Sequence, residues 1–309
     1  ETGQCLLGLD SLADLLTAMD ALRHLKCRPA ISPTWVRHES APVRARAMAL
    51  LIAEGVTAPV LEQLAGERDP FVLRLAWERL AATPEACPPA PLTAGLNHPE
   101  ALGRAGAATV ICRQAADPDD HPGLAAGVTD RAVAVRVVLA AELGRRPNGG
   151  RELLRKLAGD PHPSVRCGVA DAVAAPGRME LHLRLSADRD GEVRRLACMR
   201  LRDYPLATVA DALLARLDDP DEAARIAAED SLIALQPGKE LHDRIIADLA
   251  RPGTCAAAVK ILGALKVAAA IPALRPILTA NGHFELLRRT VVAIGQLGDR
   301  ESWAAVCAL

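Results

Sequence analysis

Apolar residues recur along this chain at intervals of three and four, the spacing that gathers them on one face of an α-helix. The stripe is legible at Val43, Ala47 and Leu50, at Leu73, Trp77 and Leu80, at Val165, Val169, Ala172 and Val173, and at Leu287, Val291 and Ile294. Partner runs keep the same spacing, as in Leu153, Leu154 and Leu157, and in Val209, Leu213, Leu214 and Leu217. Each run predicts a helix with one buried face, and the runs come in pairs.

The pairs are punctuated by a recurring unit: an Asp or Asn near a Pro or Gly, an apolar residue, an Arg, then an apolar helical run. It reads Asp69-Pro70-Phe71-Val72-Leu73-Arg74, Asp130 to Val135-Arg136, Asp160 to Val165-Arg166, Asp188 to Val193-Arg194, and Asp219 to Arg225. Weaker copies are Ser40 to Arg44, Asn97 to Arg104 and Asn281 to Arg288, while Arg251 to Leu265 keeps the helix and loses the Arg. Arg44, Arg74, Arg104, Arg136, Arg166, Arg194 and Arg225 succeed one another at 30, 30, 32, 30, 28 and 31 residues. At a rise of about 1.5 Å per residue, such a period holds two helices of about 10 to 13 residues with short turns. The repeating unit is a helical hairpin.

In four copies Asp precedes Arg by six residues, which places the Asp at or just before a helix N-terminus, where a carboxylate accepts from unpaired backbone N–H groups. Stacked hairpins then bring the Asp of one unit near the Arg of its neighbour. The expectation is a structural ladder of charge-assisted hydrogen bonds drawn from Asp69, Arg74, Asp130, Arg136, Asp160, Arg166, Asp188, Arg194, Asp219 and Arg225.

This pattern of Asp, then Val-Arg, then an Ala/Leu helix resembles HEAT repeats, and the short period is similar to the HEAT-like repeats of phycobilin lyase subunits. The resemblance spans residues 34–309 and implies an all-α fold, an α-solenoid in which about nine antiparallel helix pairs form a superhelical stack. Residues 1–33, with Leu12, Leu15, Leu16, Met19, Leu22 and Leu25, read as an N-terminal helical cap or a degenerate repeat. Residues 82–95, rich in proline, read as a loop that interrupts a helix. The helix begun at Glu301-Ser302-Trp303 stops at Leu309 without a polar cap, so the array is expected to continue beyond this chain, and Glu1-Thr2-Gly3 reads as a processed end or a cloning remnant.

Composition agrees with helices. Of 309 residues, 60 are Ala and 45 Leu, both good helix formers, whereas aromatics are only 2%, too few for strand cores or base-stacking platforms. With 50% hydrophobic residues the chain can bury a large core. The 37 basic and 38 acidic side chains nearly cancel, which removes the footprint of a nucleic-acid binder. The eight cysteines form no Cys-x-x-Cys pair, so zinc-finger chemistry is not expected; they read as small apolar fillers in a reducing, cytoplasmic setting. The longest apolar stretch, Val259 to Leu278, is broken by Lys260, Lys266, Pro272 and Arg275, so no membrane insertion is expected.

A search for chemistry finds none. Deoxyhypusine hydroxylase, a HEAT-repeat enzyme, carries His-Glu dipeptides in several repeats; here the dipeptide occurs once, at His38-Glu39. His98, His121 and His162 sit beside prolines, where solvent-facing or capping roles are expected. The spread of Trp35, Trp77 and Trp303 does not suit a HEAT-like DNA glycosylase, and neither a phosphate-binding Gly-rich loop nor a G-x-S-x-G elbow is present. The chain is therefore expected to be no enzyme, to need no metal or cofactor, and to act as a scaffold or adaptor that binds a protein partner on a concave surface. The resemblance implies that the Arg-bearing helix lines that surface, and its off-stripe residues Glu78, Arg79, Asp171, Arg195, Arg200, Glu229 and Asp230 are the expected partner contacts. The alternatives are an accessory subunit of the bilin lyase kind and a toxin-neutralising or secretion-associated adaptor.

Overall fold

The computed structural model describes residues 12–22, 32–175, 177–279 and 283–308. Among these residues the regular structure is entirely helical. Long helices at Ala41–Ala53, Pro70–Ala82, Ala101–Gln114, Val133–Arg145, Gly191–Leu201, Glu222–Leu235, Pro252–Ala264 and Phe284–Leu297 alternate with shorter ones. The shorter set includes Ala58–Leu64, Pro89–Gly95, Pro122–Gly127, Arg151–Leu157, Met179–Leu185, Leu206–Leu214, Lys239–Asp248 and Ile271–Thr279. The chain divides into two compact units, Glu1–Gly168 and Val169–Leu309. Within each, successive long helices pack side by side and short helices pack against the long ones, which makes the fold all-α and solenoid-like.

Local chemistry explains where the helices begin. Asp69 caps Pro70–Ala82 by accepting from the N–H groups of Phe71 (2.9 Å) and Val72 (3.1 Å); Asp190 does the same for Gly191–Leu201, and Asp221 caps Glu222–Leu235 through the Ala224 N–H. The stretch read as a Pro-rich loop is largely helical: Pro84–Ala86 is a 3-10 turn and Pro89–Gly95 an α-helix. Its prolines sit in first turns, where the missing N–H has no helical partner to lose.

The apolar stripes face inward. Val43, Leu73, Leu80, Val165, Val169, Leu154 and Leu213 are fully buried. In Phe284–Leu297, Ile294 is buried while Leu287 and Val291 are half-covered. Small residues let the long helices approach one another. A Cβ on Gly106 would lie 2.1 Å from Cγ of the buried Trp77, and one on Gly263 would lie 2.7 Å from Cβ of Ala293.

Helix Leu12–Leu22 packs on Ala41–Ala53 through the buried Leu15 and Met19, and Asp20 pairs with Arg46. The rest of the expected N-terminal cap, residues 1–11 and 23–31, lies outside the described residues. No helix among the described residues is long and apolar enough to cross a membrane.

Candidate functional site

Within each unit the repeat arginines make the same kind of contact. Arg136 Nε and Nη2 donate to the Asp160 carboxylate at 2.7 and 3.1 Å, while Nη1 donates to the carbonyl of Asp130, six residues back in its own turn. Arg104 binds Asp130 at 2.7 and 2.9 Å, and Arg194 binds Asp219 at 2.8 and 2.6 Å. The carboxylates of Asp130, Asp160, Asp188 and Asp219 also accept the N–H two residues on, so each closes its own turn. One guanidinium thus ties its own turn to the turn of the following hairpin.

These contacts set the charge states. Hydrogen bonding from Arg104 holds the Asp130 carboxyl below its ordinary pKa. Burial pushes Asp160 and Asp219 upward, but the guanidinium and N–H donors outweigh it and both end lower than usual.

Asp69 and Arg74 depart from the expected ladder. Asp69 is a helix cap, and the carboxylate that meets Arg44 (2.7 and 3.0 Å) belongs to Glu67, two residues earlier. The signal was legible, since Glu67 precedes Asp69 as Asp188 precedes Asp190 and Asp219 precedes Asp221. Arg74 stays exposed and forms no hydrogen bond or ion pair among the described residues. The turn that should answer it carries His98, whose Nδ1 accepts the Glu100 N–H at 3.0 Å and so closes the turn without supplying an anion. His98 is buried, not solvent-facing.

Arg166 is buried and donates to the carbonyls of Asp160 and Pro161; Arg225 donates to that of Asp219. Where the repeat loses its Arg, Thr254 takes the position, and its hydroxyl donates to the Asp248 carbonyl six residues back at 2.9 Å. Arg288 of the weak last copy pairs with Glu285 on its own helix; Arg275, from a short helix, meets Asp299 instead.

The expected partner contacts fall into two groups. Glu78 and Arg79 are exposed and carry no ion pair among the described residues. The others are engaged. Asp171 pairs with Arg200 at 2.8 Å, and Arg195 with Glu192 at 2.6 Å. Asp230 meets Lys260 at 2.9 Å, and Glu229 is buried beneath Lys260 (2.8 Å) and Arg289 (3.6 Å). Glu229 is thus covered by the protein's own cations. Sequence reading passed over Arg113 and Glu142, which form a comparable pair at 3.0 Å in the first unit. A signal existed: positions 113, 142, 171, 200 and 229 follow at steps of 29.

Between Glu222–Leu235, Pro252–Ala264 and Phe284–Leu297 runs an open groove of about 400 Å³. Its walls carry Ile226 and Val292, both unusually exposed for aliphatic residues, with Lys260, Arg288, Arg289 and Gln296. No carboxylate is among its described lining residues. Arg288 and Arg289 share Glu285 at its edge, which holds that carboxyl down at about 2.

Reactive groups are subdued elsewhere. Cys112 and Cys198 are buried, and burial pushes both thiols up to about 12. Among the described residues no cluster of His, Cys, Asp or Glu could hold a metal ion.

No protein-family model matches the chain, and no curated protein matches it in sequence. Among solved structures it is similar to YibA of Escherichia coli, at 18% identity over 74% of this chain and 88% of that one, with a TM-score of 0.44. It is similar also to two engineered proteins, one at 18% identity over 96% and 98% of the two chains with a TM-score of 0.44, the other at 15% over 91% and 96% with a TM-score of 0.26. Likeness at these values carries no functional argument.

Proposed function

We propose that this protein is a HEAT-like repeat scaffold that binds a protein partner on the surface of its long helices. The observation that carries the reading is the groove holding Ile226 and Val292. Exposed aliphatic side chains framed by polar groups whose cations are paired with the protein's own carboxylates suit a partner segment with an apolar anchor. The ion pairs beside it, Lys260 with Glu229 and Asp230, fix the orientation of the wall in advance, which lowers the ordering cost of docking. Glu78 and Arg79 remain candidate contacts of the first unit.

The test is affinity purification of the full-length protein with mass spectrometry, run beside the Ile226→Asp/Val292→Asp variant. A stoichiometric protein that accompanies the parent and is lost from the variant, with thermal unfolding unchanged, supports the reading. A retained small molecule without any protein, or a partner held equally by both forms, counts against it.

A further inference from the structure

The helix Pro70–Ala82 of the first unit carries an outward face unlike that of its neighbours. Phe71, Arg74, Glu78 and Ala82 follow one another at intervals of three and four residues, so they form one stripe along the helix, and all four are exposed. Phe71, at 46%, is an aromatic ring left largely in water. Leu102, at the same place in the next long helix as Phe71, is 45% exposed and widens the apolar end of the stripe. On the two helices packed beside Pro70–Ala82, the residues nine past the N-cap, where Glu78 stands, are Ala49 and Thr109. Both are small and half-buried, so the side chains of Pro70–Ala82 stand above their surroundings as a ridge.

The ridge carries one free charge of each sign. Arg74 and Glu78 lie one turn apart, yet neither side chain forms a hydrogen bond or ion pair among the described residues. A cation that precedes an anion by four residues is the weaker of the two orders on a helix. Arg74 also stands one position past the place from which the ladder arginines reach inward. Asp188 precedes Arg194 by six residues and Asp219 precedes Arg225 by six, whereas six residues after Glu67 comes the buried Leu73, and Arg74 follows it on the outside. A partner of uniform sign would set a like charge against either Arg74 or Glu78. A surface with an apolar end, a small-residue end and opposite charges between them is complementary to itself.

We infer that this ridge is an isologous contact between two copies of the chain, in which Pro70–Ala82 of one lies antiparallel on Pro70–Ala82 of the other. A two-fold axis crossing the helix at Ala76 sets Arg74 against the partner's Glu78, and Glu78 against the partner's Arg74. The same register lays Phe71, five residues before the axis, over the partner's Ala82, six residues beyond it, so a large side chain meets a small one. A parallel mate would oppose Arg74 with a second guanidinium, so the charges select the antiparallel arrangement. The groove at Ile226 plays no part in the contact, and no other protein is needed for it, so this inference stands or falls apart from the scaffold reading.

The experiment is sedimentation of the purified full chain over concentrations from about 1 to 300 µM, where the expected result is a reversible monomer–dimer equilibrium. Phe71→Ser should raise the dissociation constant at least about tenfold. Arg74→Glu and Glu78→Arg should each weaken self-association by at least about tenfold, yet an equimolar mixture of the two variants should dimerise at least as tightly as the parent, because each then meets only opposite charge. All three positions are exposed, so thermal unfolding of the dilute variants should match that of the parent. A chain that stays monomeric throughout the range, a dimer indifferent to Phe71→Ser, or a mixture of the charge variants that fails to associate would each overturn the inference.

Discussion

Arg194 and Asp219 meet across successive helix pairs through two charge-assisted hydrogen bonds, and the carboxylate is sealed from solvent. Removing one partner strands a buried charge, whereas removing both charges does not. Asp219→Ala should therefore lower the unfolding free energy by about 3–5 kcal/mol. The double variant Arg194→Met/Asp219→Asn, which keeps an acceptor for the Asp221 N–H, should lose about 1 kcal/mol or less. Urea unfolding of both proteins checks this; equal losses would mean that the pair itself is unimportant.

The missing rung at Arg74 supplies a control inside the same molecule. Arg74→Gln should change stability by no more than about 0.5 kcal/mol, as at other exposed sites without partners. Arg104→Gln removes a buried cation that holds Asp130 and the carbonyls of His98 and Pro99, and should cost several times as much. Comparable denaturant midpoints for the two variants would contradict the ladder geometry.

His182 makes stability depend on pH in a window of its own. The ring is fully buried, with Nδ1 2.8 Å from the Tyr204 hydroxyl, and burial followed by the charges of Arg178 and Arg200 lowers its pKa from 6.5 to about 4. Because the unfolded chain binds the proton more readily, the contribution is complete above about pH 6.5 and declines as pH falls toward 4. The decline should reach about 3 kcal/mol, and His182→Phe should flatten it. The lowered carboxyls of Asp130, Asp160 and Asp219 act in a separate window, with stability complete above the unfolded value near 4 and lost as pH drops below it. Stability curves of parent and variant between pH 3 and 7.5 distinguish the two.

Two glycines in helix interiors should respond to alanine in opposite directions. Gly106→Ala forces a methyl against the Trp77 indole and should cost about 1–3 kcal/mol. A Cβ at Gly295 meets nothing within 4 Å, so Gly295→Ala should stabilise by about 0.5–1 kcal/mol through helix propensity. Thermal unfolding of the pair reads the sign directly.

Helices, their pairing and the repeat phase were written into the sequence, because a helix's apolar period and the Asp-to-Arg interval depend on residues a few positions apart. That the Arg136 guanidinium would meet a carboxylate 24 residues on followed from stacking identical hairpins. Which carboxylate each arginine finds depends on the residue type at one turn position: Glu67 stands there as Asp219 does in a later turn, and His98 there leaves Arg74 unanswered. Glu229 is a surface residue by helical position yet buried by Lys260 and Arg289, which come from two other helices. The groove at Ile226 likewise exists only once neighbouring hairpins are in place. Local order in the chain determined the repeating unit; the empty spaces and the buried charges were decided by packing, because exposure belongs to a side chain's neighbours and not to its place in the sequence.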